Sequence, residues 1–320
     1  MTGDIKDFGH GITRIDTHYI RPGLAGSWLV IENGRAALIE TGPELAVPRI
    51  LDALARKGIS RENVEAVMVT HVHLDHAGGA GLLLQHLPNA RLYVHPKGAR
   101  HLIDPSRLLA SARTVYGEER FSMILGGLTP APAARTVTPA DGERFFLSGR
   151  EMVFLHTPGH ANHHLVVWDP TSRGIFSGDA LGISYRELDG PGGRFLFPAT
   201  TPVQLDPRAN LESIDRMIAL KPERLHLTHF DSIPFEGSLM TDLKQQLQEY
   251  TERAWSIRAD LLPDKESRLL EEIRSLSRER LEAIGCPLSR EQQADVLAMD
   301  WEINVQGLNN WLDRVEDDLE

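Results

Sequence analysis

The sequence has a single cysteine, Cys286, which excludes an internal disulfide framework. It has no apolar run near the roughly 20 residues of a membrane-spanning helix. Its N-terminus, MTGDIKDFGHG, lacks the apolar core of a signal peptide. No G-x-S-x-G motif is present, so a hydrolase with a serine nucleophile has no support. We therefore expect a cytoplasmic protein with no membrane partner.

Positive charge is also in short supply, with 34 Lys and Arg against 45 Asp and Glu, for a formal net charge of −11. Such a chain repels the phosphates of nucleic acids, so we expect a small-molecule substrate and no nucleic-acid partner. Hydrophobic residues make up 41% of the 320 residues. This is the composition of a globular protein with one large domain, or one domain and an appendage.

Histidine is absent after His229, and the character of the sequence changes near residue 237. Beyond that point, apolar residues recur at three- and four-residue spacing in three long segments, which predicts amphipathic helices. We divide the chain into an α/β domain, 1–236, and a helical C-terminal segment, 237–320. The apolar stripes of this segment must be buried, so we expect it to pack on the domain and to form a wall of the pocket, or to form a homodimer.

Within the domain, SWLVIENGRAALIETG predicts a hairpin, because Asn33-Gly34 separates two β-rich runs. NVEAVMVT predicts a buried strand, and 97–124 predicts helices. Four short strands follow between ERFFL and GIFSG, and then a long irregular loop, 181–206. Aromatic residues in these two insertions either line a pocket or only anchor the loops; they are Tyr116, Tyr185, Phe195 and Phe197.

The densest cluster of candidate ligands is HVHLDH, which contains His71, His73, Asp75 and His76. Histidine is a common ligand of transition metals, and carboxylates serve borderline cations. If the extended conformation continues past Thr70, the first two histidines point the same way, and a turn would carry the other two residues to a second point. The alternative is a solvated polar loop, but three unliganded histidines would repel one another on protonation. The cluster therefore predicts ligands for two ions.

Three more residues with metal-binding side chains follow predicted strands: His160 in TPGH, Asp179 in SGD and His229 in LTH. Each is weak evidence alone. Asp179 could be a helix N-cap, and His229 could be a packed core histidine. Loops at strand ends commonly carry function, so together with the first cluster they predict one constellation of ligands.

The motifs THVHLDHAGG, TPGH, SGD and LTH, in this order, resemble the metallo-β-lactamase fold superfamily of metallo-hydrolases over about residues 12 to 232. The resemblance implies an αββα sandwich with two metal ions. It implies that His71, His73 and His160 hold the first ion, that Asp75, His76 and His229 hold the second, and that Asp179 bridges both. Zinc is the first choice for nitrogen and oxygen ligands, with iron or manganese as alternatives.

The chain departs from the family pattern at ETG, where Glu40 stands in place of the usual aspartate. We expect Glu40 to orient a ligand without binding metal itself. His164 matches a second histidine often seen in the family, and we assign it no metal role. We expect His226 to be a packed or surface histidine and His95 to be a surface one.

The segments IDTHYIRPGLAGSWLV and NVQGLNNWLDR are similar to a branch with lactonase-like proteins and a quorum-sensing effector that has thioesterase activity, and glyoxalase II also has a helical C-terminal segment. The implied activity is hydrolysis of an acyl thioester or lactone by metal-bound hydroxide, with Asp179 orienting the ion pair and Asp75 relaying a proton. The alternatives are a mononuclear iron enzyme resembling persulfide dioxygenases, and a regulatory protein that retains the metal site.

Overall fold

The computed structural model describes residues 4–201, 203–259 and 264–317. The chain folds into two compact units. The first, here the sandwich unit, comprises Met1–His156, His163–Gly178 and Lys221–Pro234. The second, here the helical unit, comprises Thr157–Asn162, Asp179–Leu220 and Phe235–Glu320. The boundary at residue 237 that the sequence suggests stays a prediction.

Within the described residues, the sandwich unit contains a seven-stranded and a six-stranded sheet. The strands of the first sheet lie in chain order and are β1 Ile5–Asp7, β2 Ile12–Asp16, β3 Gly26–Glu32, β4 Arg35–Ile39, β5 Val64–Met68, β6 Arg91–Tyr93 and β7 Thr136–Val137. The second sheet has the reverse order, β13 to β8, and its strands are β8 Arg144–Leu147, β9 Arg150–His156, β10 Leu165–Asp169, β11 Gly174–Gly178, β12 Arg224–Leu227 and β13 Ser232–Pro234.

The first sheet is antiparallel from β1 to β4 and parallel from β4 to β7. Its predicted hairpin is confirmed, because β3 and β4 pair across Asn33 and Gly34, which both have positive φ angles of 47° and 76°. This is the backbone of the two-residue turn that favours Asn-Gly. In the second sheet, only β11 and β12 pair in parallel.

Two apolar cores define the layers of the sandwich unit. One lies between the sheets and includes Trp28, Met68, Phe154 and Phe176. The other packs the opposite face of the first sheet against helices, through residues such as Ile50. The helices of this unit are α1 Val47–Arg56, α2 Leu74–Ala77, α3 Ala80–His86, α4 Pro96–Ile103, α5 Ser106–Tyr116 and α6 Glu118–Ile124. The predicted two-sheet sandwich is confirmed.

The helical unit combines the irregular segment 179–206 with four long helices in its described residues. These are α7 Pro207–Ala219, α8 Gly237–Ser256, α9 Asp264–Ala283 and α10 Arg290–Asp317. Helices α8, α9 and α10 pack on one another, and α7 packs on α8. Trp301, which is 1% exposed, donates a 3.0 Å hydrogen bond from Nε1 to Ser277 Oγ and so ties α10 to α9.

Segment 181–206 is fastened to these helices by buried polar contacts. Gln246 of α8 donates from Nε2 to the Leu196 carbonyl at 2.7 Å, and Tyr185 Oη lies 3.1 Å from Asp300 Oδ1 of α10. An unpaired buried polar group costs free energy, so these pairs also specify where the segment lies on the helices. Residues 181–206 are thus held against α8 and α10 of the same unit.

Candidate metal centre

The HVHLDH cluster follows directly on a buried parallel strand. Regular pairing of β5 ends at Met68, and α2 begins at Leu74, so His71 and His73 lie in the turn between them, while Asp75 and His76 lie in α2. His71 is fully buried, and its Nε2 lies 2.8 Å from Nδ1 of His73. The two side chains come together as predicted, although the strand is shorter than the prediction required.

Asp75, His76 and His229 form a second group of donors within the sandwich unit, with one ligand atom of each within 4.8 Å of the others. His229 Nε2 lies 3.3 Å from His76 Nε2 and 3.1 Å from Asp75 Oδ2, and His76 Nε2 lies 3.6 Å from Asp75 Oδ2. Ligands at the usual zinc distances, in a tetrahedral arrangement, are separated by about 3.3 Å. The three residues therefore fit one divalent ion.

Among the predicted ligands, His71 and His229 each contact a hydroxyl or carbonyl oxygen through the ring nitrogen that faces away from a candidate ion. His71 Nδ1 lies 3.0 Å from Thr70 Oγ1, and His229 Nδ1 donates to the Leu24 carbonyl at 2.8 Å. A carbonyl on Nδ1 places the proton there, and the lone pair then belongs to Nε2. In this tautomer the Nε2 lone pair is available to coordinate a metal ion. The hydroxyl of Thr70 and the carbonyl of Leu24 therefore favour metal binding by these two rings.

Glu40 contacts one of these predicted ligands, and not the candidate ion, as the sequence suggests. It follows β4, is 1% exposed, and has a φ of 64°, a strained conformation for a residue with a side chain. Its Oε1 accepts from the Thr70 hydroxyl and lies 3.3 Å from His76 Nδ1 and 3.4 Å from Thr228 Oγ1. Glu40 therefore contacts the predicted ligand His76 through the nitrogen that faces away from the candidate ion, as an orienting residue does.

The helical unit contributes the other two predicted ligands. His160 and Asp179 are 1% and 6% exposed, and His160 Nε2 lies 3.6 Å from Asp179 Oδ2. His160 Nδ1 donates to the Ala199 carbonyl at 2.9 Å, so this ring has the same tautomer as His229. Asp179 begins a turn closed by a 3.0 Å hydrogen bond from Gly182 N to its own carbonyl. The first helical residue described after it is Arg186, so the N-cap alternative for Asp179 is wrong.

Helix α7 fixes the loop that carries His160. Ser213 donates from Oγ to the Pro158 carbonyl at 2.7 Å, and the Gly159 carbonyl accepts from Asp206 N at 2.7 Å. A Cβ atom at Gly159 would lie 2.3 Å from the Asn210 Cα atom. Glycine is therefore required in TPGH because another backbone passes against it.

The remaining histidines show one error in the expectations. His95 is 6% exposed rather than a surface residue, and burial together with His156 lowers its pKa to about 4. His226 is packed as expected, with its ring stacked on Phe176 at 4.6 Å between centroids. His164 is fully buried and stacks on His71 at 5.0 Å, a packing contact that braces a predicted ligand.

The aromatic residues of segment 181–206 act as anchors. Tyr185, Phe195 and Phe197 are 1–2% exposed, and the last two stack at 5.2 Å between centroids. Fully buried rings present no surface to a substrate, so the anchor alternative is the better one for these three. The side chain of Tyr116 lies outside the described residues.

Sequence reasoning missed the hydrogen-bond partners of the predicted ligands. Thr70 could have been suspected, since it stands beside His71. The carbonyl groups of Leu24 and Ala199 could not, because every residue has a carbonyl and only the tertiary fold selects one. Among the described residues, none of the helices is long and apolar enough to pass through a bilayer.

Comparisons with known proteins show which sequences this chain resembles. A metallo-beta-lactamase fold-containing protein of Sulfurisphaera tokodaii is 30% identical over 172 residues, covering 52% of this chain and 61% of that protein. The alignment thus spans less than two thirds of that relative. A hydroxyacylglutathione hydrolase of Aeromonas salmonicida is 26% identical over 249 residues, or 77% of each chain.

Solved structures show the same fold. The crystal structure of a metallo-beta-lactamase family protein from Thermus thermophilus matches with a TM-score of 0.66 and 19% identity, covering 96% of this chain and 94% of that one. The sequence profile described as the metallo-beta-lactamase superfamily matches residues 21–229, a span that contains all seven predicted ligands. The chain therefore belongs to the metallo-beta-lactamase superfamily.

Proposed function

We propose that this chain is a binuclear metal-dependent hydrolase of an ester-type bond, with an acyl thioester or a lactone as substrate. The observation that carries the proposal is the group Asp75, His76 and His229, whose ligand atoms lie 3.1 to 3.6 Å apart. Nitrogen and oxygen donors at this spacing suit zinc, with iron or manganese as alternatives.

The remaining ligands are assigned by the same proposal. We assign His71, His73 and His160 to a second ion and Asp179 to a position bridging both, as the family motifs suggest. Contacts of a hydroxyl with His71 Nδ1 and of a carbonyl with His160 Nδ1 support the assignment. Two divalent ions would supply an activated water of lowered pKa and a Lewis acid for the carbonyl oxygen.

The chain's own residues then hold and orient the reacting groups. The Asp75 side chain is 21% exposed, more than those of His76 and His229, so it can exchange a proton with solvent. The Asp179 side chain is 7% exposed and orients the ligand shell from inside the helical unit. We assign proton relay to Asp75 and orientation to Asp179.

The substrate class has support from a relative. A hydrolase named for hydroxyacylglutathione, which is a thioester, aligns with 77% of this chain. The acidic chain offers no sequence sign of a track for a polyanion. These points favour a thioester or lactone over a phosphodiester or a β-lactam.

The test combines metal analysis with a substrate panel. Protein purified without added metal should contain close to two ions per chain. The panel compares an acyl-CoA, a glutathione thioester, an acyl-homoserine lactone, a bis-aryl phosphodiester and a cephalosporin by kcat/KM. Asp179→Asn provides the inactive control.

Each alternative predicts a different result. A lead of more than tenfold for the phosphodiester or the cephalosporin, about 1.4 kcal/mol, would contradict the substrate class. A single iron per chain with full activity would indicate the dioxygenase-like enzyme. Two bound ions with no turnover of any substrate would indicate the regulatory protein.

The partners and location are part of the same proposal. We propose a small-molecule substrate, no nucleic-acid or membrane partner, a cytoplasmic location, and a helical segment from residue 237 that walls the pocket and permits a homodimer. Light scattering measures the oligomeric state directly. A truncation at residue 237 that stayed monomeric and fully active would exclude the role of the helical segment.

A further inference from the structure

Asn304 of helix α10 forms hydrogen bonds with the short segment 198–200 of the helical unit. Asn304, which is 2% exposed, accepts at Oδ1 from Thr200 N at 2.7 Å and lies 2.9 Å from Thr200 Oγ1. Its Nδ2 donates to the Pro198 carbonyl at 3.1 Å. The side-chain amide therefore pairs with the backbone on both sides of Ala199, as a neighbouring strand would.

Gly307, one turn further along α10, allows this contact to form. A Cβ atom at this position would lie 1.4 Å from the Thr200 carbonyl oxygen and 2.6 Å from its carbon. No side chain can occupy that space, so the two backbones approach as only glycine permits. Both residues fall within NVQGLNNWLDR, the tail motif that the proposed chemistry leaves without a role.

The segment held in this way presents a carbonyl to a predicted metal ligand. Ala199 lies between the two backbone groups that Asn304 pairs with, and its carbonyl accepts from His160 Nδ1 at 2.9 Å. Thr201 Oγ1 lies 3.3 Å from the same nitrogen. The direction of the Ala199 carbonyl decides the tautomer and the orientation of the His160 ring.

We propose that Asn304, seated by Gly307, is a positioning residue that sets the metal affinity of His160 through the Ala199 carbonyl. The inference rests on the proposed function, because that proposal makes His160 a ligand. It adds that the helical C-terminal segment contributes to the metal centre by a defined hydrogen-bond path.

The chain contains a matched control in the same helix. Asn309 is 8% exposed, and neither polar atom of its side chain has a hydrogen-bond partner among the described residues. Asn309→Ala therefore removes a buried amide from α10 without removing a hydrogen bond to segment 198–201. Asn304→Asp keeps the acceptor oxygen for Thr200 but loses the Nδ2 donor to Pro198, and it serves as the conservative variant.

The experiment measures metal binding by chelator competition and by the visible spectrum of cobalt-loaded protein, for the wild type, H160A, N304A, N304D and N309A. Thermal unfolding of each metal-free variant reports the structural effect separately. We expect H160A to lose one of two ions. We expect N304A to weaken one ion by about 10- to 100-fold and to change the cobalt spectrum, as outer partners of ligands do. N304D should fall between, and N309A should match the wild type.

The two proposals fail in different ways. If the wild type binds no ion, or H160A binds both ions normally, the proposed ligand set is wrong and this inference falls with it. If H160A loses an ion but N304A keeps wild-type affinity and an unchanged cobalt spectrum, only the inference is overturned. Equal weakening in N304A and N309A would also overturn it, because the cause would then be general destabilisation of α10.

Discussion

Two histidines, His229 in the sandwich unit and His160 in the helical unit, each donate a hydrogen bond from Nδ1 to a backbone carbonyl. The two carbonyls are held in place by different parts of the chain. In the sandwich unit, His229 Nδ1 donates to the Leu24 carbonyl at 2.8 Å. The loop that presents this carbonyl is fixed locally, since Asp16 at the end of β2 accepts from Gly23 N at 2.8 Å and from His18 N at 3.0 Å. The support therefore comes from the strand that leads into the same loop.

In the helical unit, His160 Nδ1 donates to the Ala199 carbonyl at 2.9 Å, but the support is remote. Asn304 holds the neighbouring Thr200 from 104 positions further along the chain. Local support survives as long as its strand forms, whereas remote support depends on the packing of a separate helix. The comparison shows that a residue in 237–320, Asn304, can support a loop that lies far from it in the sequence. No pattern near TPGH indicates this contact.

The largest expected effect comes from removing one ligand in each unit. We expect His229→Ala and His160→Ala each to lose one bound ion. Activity should fall by more than the ~100-fold loss that follows mutation of a residue hydrogen-bonded to a ligand. The reason is that each variant removes a nitrogen atom that would coordinate the ion, and not a residue that only orients a ligand. Metal content and kcat/KM measure the loss, and circular dichroism checks that the chain stays folded. Full metal content in either variant would exclude that histidine from the ligand set.

A smaller effect is expected at Glu40, the support shared by Thr70, His76 and Thr228 in the sandwich unit. Glu40→Gln keeps the shape but removes the charge that favours a proton on His76 Nδ1. We expect a loss of about 10- to 100-fold in kcat/KM or metal affinity. A loss as large as in the ligand variants would mean that Glu40 binds metal itself.

The smallest effect, taken per pH unit, is a pH dependence of the unfolding free energy that belongs to the sandwich unit. His226 of β12 is buried with Trp28 and Phe176, and neither ring nitrogen has a hydrogen-bond partner among the described residues. Burial, followed by the charge of Arg224, lowers its pKa to about 3. In the unfolded chain, a histidine has a pKa of about 6.5. As the pH drops from about 6.5 towards 3, the unfolded state therefore binds a proton that the folded state does not, and the unfolding free energy falls.

The slope from this one group is at most about 1.4 kcal/mol per pH unit. We expect His226→Phe to flatten the dependence of the unfolding free energy on pH over that window, because phenylalanine keeps the ring and does not titrate. Denaturation of metal-free protein from pH 4 to 8 provides the measurement. His10→Gln, a change at an exposed histidine, should leave the slope as in the wild type. An unchanged slope in His226→Phe would mean that other groups determine the acid sensitivity.

Much of the fold could be predicted because its signals are local. The Asn33-Gly34 turn, the buried strand before His71 and the three helices after residue 237 follow from turn chemistry and apolar periodicity. The error at His95 has a physical reason as well. His95 stands in the two-residue connection between β6 and α4, where no periodic pattern applies, so its burial against His156 is decided by the fold alone.

By itself, the sequence determined the kind of chemistry, because His and Asp side chains at the spacing of HVHLDH, TPGH, SGD and LTH have few uses other than holding metal. Only the tertiary structure decided how those side chains are oriented. The fold places the groups that orient them, which are the carbonyls of Leu24 and Ala199 and the side-chain amide of Asn304. A hydrogen bond depends on distance and direction between groups far apart in the chain, and no local pattern of residues encodes either quantity.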